Sequence, residues 1–364
     1  MNSLPSTGGL TFRLHLQRGR VTGVKLVSTR PQAAALLKGK TPQQAVQLAP
    51  LLFSLCGAAQ GVAAQAAVQT AQGRIPEAEQ QACWAGTVRR EASVEHLWHL
   101  MLDWPQVCGL GRLEQEYVRC RHQCLQAKTD RDHAAVLETI MISELLGLPA
   151  ADWLAQDRQA WAAWREDSPA LGARLLRCLE EGGGEEGLSA AYLPYTIAAD
   201  WVDMGQAIRT PAFCSAPTWR GEPRETGALA RQREHALVAP LLAAGFGIEA
   251  RLTARMVELA RWACGEVGQA RDWVDAAQCG QNAGLARVET ARGVLIHRVQ
   301  MENDAIAEYA IVAPTEWNFH PHGTFVRAAG RIAGADDATV LRKAQGLALS
   351  LDPCVAYEVV LEHI

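Results

Sequence analysis

Residues 351–364, LDPCVAYEVVLEHI, decide how the rest of the chain is read. An Asp-Pro-Cys step with a second cysteine three residues on would form half of a metal clamp. Here Tyr357 stands at that second position, and Cys354 is the last of ten cysteines. A thiolate suits a soft or borderline metal, but a lone cysteine is as often a small buried apolar group. The stretch therefore marks either a lost site or one put to another use.

Composition narrows the setting. The ten cysteines in 364 residues are scattered and do not form a disulfide framework. The opening MNSLPSTGGLTFRLHLQ lacks the apolar core of a signal peptide, and no apolar run reaches the roughly 20 residues needed to span a bilayer. These features predict a cytoplasmic protein with reduced thiols and no membrane partner. A formal charge of −4 with mixed signs offers no basic surface for nucleic acid. Most of the eleven tryptophans lie between residues 84 and 273, which points to helical packing in the core.

Period and punctuation predict an α+β fold, mainly α. LTFRLHL, QRGR and VTGVKLVS read as a β-hairpin over 10–28. Thr41-Pro42 opens a helix that runs into the Ala-rich LCGAAQGVAAQAAVQ. Helical periodicity continues over 77–103, 110–147, 151–181, 226–244 and 247–264, and GGGEEG (182–187) reads as a flexible break. LARVETARGVLIHRVQME and DAIAEYAIVAPTEW read as strands, and a last helix covers about 336–350. The expected organisation is one unit over 1–364. It consists of an N-terminal hairpin (1–30), a helical body (31–264) and C-terminal β elements with a helix ending at Asp352-Pro353-Cys354 (265–364).

Several separated stretches, in order, resemble the large subunit of nickel–iron hydrogenases. That family carries R-x-C-G-x-C-x-x-x-H early and D-P-C-x-x-C-x-x-H late, with G-P-L-A-R, E-A-P-R-G and V-P-T/S-T-W-N between them. This chain has LLFSLCGAAQGVAAQAA, GEPRETGALARQ, VETARGVLIHRV, IVAPTEWNFHPHG and LDPC, and EHLWHLMLDW (95–104) is loosely similar to the family's His-rich helix. Each motif alone is weak, but their number and order across residues 8–357 are specific.

The departures carry the functional expectation. With Cys56 on the second cysteine of the early motif, Phe53 stands at the first and Gln60 at the histidine. Tyr357 and Val360 replace the late cysteine and histidine, and PSTGGL lacks the acidic residue of the family's R-I-E-G step. Such a degenerate large subunit resembles the hydrogenase expression/formation proteins HupK and HoxV. The resemblance implies a non-catalytic scaffold that binds an Fe(CN)2CO fragment transiently through Cys56 and Cys354 and holds no nickel. It also implies receipt of the fragment from a small HypC-type chaperone with its iron-loading partner, and relay to a large-subunit precursor. With no histidine at 360, the C-terminal trimming of large-subunit precursors is not expected. Two rivals stay open: a divergent hydrogenase, and a metal-free mimic acting only as an interaction platform.

By the same resemblance, Arg292 of ETARG and Thr315 of APTEWN match residues that donate hydrogen bonds to cyanide. A guanidinium is well suited to such an acceptor, whereas a hydroxyl after proline also makes local turn bonds. His320 and His322 of NFHPHG are auxiliary candidates for ligation or proton transfer, or else ordinary exposed-loop histidines. Cys108, Cys120, His122 and Cys124 could suggest zinc. On a helix, however, Cys120 and Cys124 share a face that His122 does not, so no metal is expected there. His363 reads as part of a frayed terminus.

Overall fold

The computed structural model describes residues 8–53, 56–181 and 191–364. Alternation sets the first sheet: β1 (Leu10–Gln17) buries Leu10, Phe12, Leu14 and Leu16, and pairs antiparallel with β2 (Arg20–Ser28). Arg18 and Gly19 make the turn, both with positive φ.

The expected continuous helix from Thr41 is two helices. Thr41 and Gln44 form a reciprocal capping box at the start of α1 (Pro42–Leu52), and α2 (Gly57–Ala71) follows a break. α2 lies on the second sheet with almost no side chain between them. A Cβ on Gly284 would strike the backbone of Ala67 and Ala71. α3 (Ala78–Trp98) continues through a π-turn at His99–Asp103 into Trp104–Val107.

Loops interrupt the other long periodic stretches. The 110–147 stretch holds α4 (Glu114–Gln126) and α5 (Asp130–Ile140), and 151–181 divides into Ala150–Leu154, Arg158–Asp167 and α6 (Leu171–Glu181). Only short helices, Ala228–Gln232 and Ala239–Ala243, form in 226–244. Polar breakers such as Thr129 and Asp157 cap new helices inside stretches whose apolar periodicity runs on. The GGGEEG break lies outside the described residues.

α7 (Gly247–Ala263) runs through the core, and its charged residues Glu249, Arg251, Arg255 and Glu258 are buried with it. Burial requires partners. Arg251 donates to Glu225 at 2.8 and 2.9 Å, Arg255 donates to the Ser350 carbonyl at 2.8 Å, and Glu258 accepts from Arg231. The four-stranded antiparallel sheet β3 (Val274–Gly280), β4 (Ala283–Thr290), β5 (Gly293–Glu302) and β6 (Ala305–Val312) covers α2, with β4 buried on both faces. α8 (Pro314–Asn318) and α9 (Asp337–Ser350) lead to β7 (Tyr357–His363).

β7 pairs parallel with β1, from Leu10 opposite Tyr357 to Leu16 opposite His363, completing the order β2-β1-β7. His363 is therefore a strand residue, 2.9 Å from Asp337, and not a frayed end. The expectation of uniformly reduced thiols fails at one pair: Cys108 and Cys178, 70 residues apart, form a disulfide. Among the described residues no helix is long and apolar enough to cross a membrane.

Candidate metal centre

The break between α1 and α2 makes the first half of the site. Cys56 is the residue at which α2 begins, and its amide bonds to the Phe53 carbonyl at 3.1 Å. The next free amides of α2, Ala58 and Ala59, donate to the two carboxylate oxygens of Glu91 at 2.7 and 2.8 Å. Glu91 thus caps from another helix the donors that a helix start leaves open. One turn on, the Gln60 amide nitrogen lies 3.7 Å from Cys56 Sγ.

α3 supplies a stripe at four-residue spacing, Glu91, Glu95 and His99, facing this point. The π-turn lets His99 contact Asp103 at 3.0 Å on one nitrogen and Asp352 at 2.7 Å on the other. Arg292 sits in the two-residue turn between β4 and β5. The Thr290 hydroxyl fixes this turn by accepting the amides of Arg292 and Gly293. The Arg292 guanidinium reaches Glu95 at 2.6 Å and Asp352 at 2.8 Å.

Asp352 has φ of 60°, in the left-handed region that aspartate tolerates better than most residues. It ends α9, and the loop beyond it presents Cys354 before β7 begins. The Thr315 hydroxyl donates to Cys354 Sγ at 3.0 Å and Arg30 donates at 3.4 Å, with Arg30 also ion-paired to Glu316. A cleft of about 640 Å³ is lined by Phe53, Glu316 and the two residues that bond this thiol, Arg30 and Thr315, though not by the thiol itself.

Electrostatics joins the halves. Burial raises the Cys56 thiol well above its ordinary range; the charge of Glu95 and the Cys354 sulfur add to the rise, while Arg292 opposes it. Burial also pushes Glu95 up to about 8 against the pull of Arg292, and its Oε1 is buried without a hydrogen-bond partner. Burial alone would raise Asp352, but Arg292 and His99 hold it far below the usual carboxylate range. His99 loses by burial and gains more from Asp352 and Asp103, so its imidazolium is favoured.

The structure thus brings together Cys56, Cys354, Arg292 and Thr315. It does not bring His320 and His322 to them by any described hydrogen bond or ion pair. His320 is buried rather than exposed; its Nδ1 accepts the His322 amide at 3.0 Å, and its ring also bonds to the Ala216 backbone. His322 is exposed. Cys120 and Cys124 face the core, His122 faces solvent and Cys108 is bound to Cys178, so these four share no ligand set. Among the described residues no group of three or more His, Cys, Asp or Glu side chains could hold a metal.

A family model described as nickel-dependent hydrogenase matches residues 251–357, the part that carries Arg292, Thr315 and Cys354. The hydrogenase expression/formation protein HoxV of Cupriavidus necator is 31% identical over 97% of this chain and 95% of its own length. HupK of Azotobacter vinelandii is 32% identical over 98% and 99%. The chain belongs to the HupK/HoxV family of hydrogenase expression/formation proteins. Solved hydrogenases share the fold. The Ni-Fe-Se hydrogenase of Desulfovibrio vulgaris Hildenborough aligns with TM-score 0.59 at 14% identity, over 96% of this chain and 98% of that one. An NAD+-reducing [NiFe]-hydrogenase aligns with TM-score 0.55 at 16% identity over 96% of both chains. Outside the sequence expectation of a HupK/HoxV site lay Glu91, Glu95, His99, Asp352 and Arg30. The 91-95-99 spacing was visible in the sequence, whereas nothing in it linked Arg30 to Glu316 or Cys354.

Proposed function

We propose that the chain acts in hydrogenase maturation as a non-catalytic scaffold that holds an Fe(CN)2CO fragment between Cys56 and Cys354 and passes it on. The observation that carries this reading is that two thiols, from chain positions nearly 300 residues apart, lie close enough to couple electrostatically with each other and with one guanidinium held by two carboxylates. Two thiolates are a soft donor set. An iron already carrying three strong-field diatomic ligands needs few more from the protein. Nickel, which takes four thiolates in the related large subunits, is not retained in this reading.

The chain's own groups have distinct tasks. Asp352 and Glu95 fix the Arg292 guanidinium in one plane, where its N–H groups can meet the anionic ends of cyanide. Thr315 and Arg30 hold the Cys354 sulfur in place, and the adjoining cleft gives the fragment a way in. Because metal ligation needs thiolates, loading releases protons. Burial makes the Cys56 proton hard to lose. The donor of the fragment is a small HypC-type chaperone with its iron-loading partner, and the acceptor is a large-subunit precursor.

The test is an infrared spectrum with metal analysis of the protein purified after co-expression with the maturation proteins. Metal-bound cyanide and carbonyl bands with iron and without nickel are expected. Absence of those bands would overturn the scaffold reading and leave the metal-free interaction platform.

A further inference from the structure

Gln60 occupies the position at which the related large subunits have a histidine, and an imidazole lies just behind it. The Gln60 amide nitrogen donates to Cys56 Sγ at 3.7 Å, and its Oε1 is 2.8 Å from His297 Nε2. On the far side of that ring, Nδ1 is 2.8 Å from the Tyr309 hydroxyl. The chain crosses from α2 to β5 to β6, with Gln60 2% and His297 0% exposed.

The chemistry of each group fixes the direction of every bond. An amide oxygen only accepts and an amide nitrogen only donates. With the nitrogen on sulfur, His297 Nε2 carries the proton, and Nδ1 accepts from the tyrosine hydroxyl. A rotated Gln60 amide would set its own N–H against the Nε2–H of His297. The opposite imidazole tautomer, donating from Nδ1 to the tyrosine oxygen, would set a bare Nε2 against the Gln60 carbonyl oxygen. Burial drives the His297 pKa down to about 3, so the ring stays neutral and keeps this pattern. Buried polar side chains are tolerated only when bonded. Here three of them are spent on holding one N–H toward one sulfur.

We propose that Tyr309, His297 and Gln60 form a positioning chain that holds a hydrogen-bond donor on the Cys56 sulfur and so limits the electron density this sulfur gives to the cargo iron. The proposal rests on the reading of Cys56 as a cargo ligand. A donated N–H draws charge from a thiolate. The iron then returns less density to carbon monoxide, and the carbonyl stretch lies higher than it would without the bond.

The test is the infrared spectrum of iron-loaded Gln60→Leu, His297→Leu, the double variant and Tyr309→Phe, each checked for iron content and thermal stability. Gln60→Leu and His297→Leu should each move the carbonyl band to lower wavenumber by the same amount, and the double variant should move it no further. Tyr309→Phe, which loses only a hydroxyl, should shift it less in the same direction; it carries the test if His297→Leu does not fold. Unmoved carbonyl bands in Tyr309→Phe and the leucine variants, or additive shifts in the double variant, would overturn the positioning chain while normal wild-type bands kept the scaffold reading. A wild-type protein without any such bands would overturn both.

Discussion

The two thiols sit in seats of different construction. Cys56 opens a 15-residue helix pressed directly onto β4, its helix end is capped by Glu91, and its sulfur receives one neutral donor backed by buried side chains. Cys354 lies on a short loop between α9 and β7, after a residue in the left-handed region, and its sulfur receives a hydroxyl and a guanidinium. The first seat is built from packing, a capping carboxylate and one neutral donor. The second is held by ion pairs and by a strand that must dock. A carrier has to grip and also let go. Under the proposed carrier role, the contrast assigns grip to the helix side and release to the loop side.

The largest expected effect tests that division directly. Cys56→Ala should abolish iron and diatomic ligands, whereas Cys354→Ala should leave a weakly held fragment, measured by metal analysis and infrared spectra. Full iron content in Cys56→Ala would invert the comparison.

Stability should show the opposite ranking. Asp352→Ala leaves Arg292 and His99 buried with a lost carboxylate and should cost about 3–5 kcal/mol in denaturant unfolding. Glu91→Gln keeps one of the two capping oxygens and sets an NH2 against the other α2 amide, a loss of about 1–3 kcal/mol. Equal losses would show that the loop side is no more dependent on charge than the helix side.

Arg292, shared by both seats, gives a finer probe. Arg292→Lys keeps the charge and loses the planar fork. The cyanide bands should shift with iron content and solubility near normal, and an unchanged spectrum would make this arginine structural only.

The smallest effect lies behind α3, where His133 is buried 2.9 Å from the Ser93 hydroxyl. Burial lowers its pKa to about 4, with Arg89 and Arg90 adding to the effect. The unfolded chain therefore binds this proton more readily than the folded one, and stability is lost as pH falls from about 6.5 toward 4. His133→Gln should remove about 1–3 kcal/mol of that pH dependence, read as the difference between the two unfolding curves. Parallel curves would show that the histidine does not titrate there.

The parts of the molecule legible in the sequence were those written in local pattern. The hairpin showed in strict alternation and α7 in apolar periodicity, whereas the turn carrying Arg292 divides into β4 and β5 a stretch that reads as one strand. β7 also alternates, Tyr357, Val359 and Leu361 against Glu358 and Glu362, but its meaning depends on a parallel partner some 340 residues away, which no local window shows. The site divides the same way. Cys56, Cys354, Arg292 and Thr315 stood out by motif. The carboxylates that orient Arg292 and the Arg30–Glu316 pair arise from tertiary contact alone. The end of α1 at Leu52 was hidden because Leu51, Leu52 and the Ala-rich start of α2 all favour helix.

The pairing of β1 with β7 also places the site in time. On the ribosome β1 is made first, and residues 357–363 follow every other residue of the site. Domains begin to fold while the chain is still growing, so the helical seat of Cys56 can mature during synthesis. Cys354 gains its second anchor only when β7 leaves the exit tunnel and lies against a strand that has been waiting since the start. Both seats are therefore complete only once β7 has docked on β1, so a carrier of the proposed kind would load late in the folding of its chain.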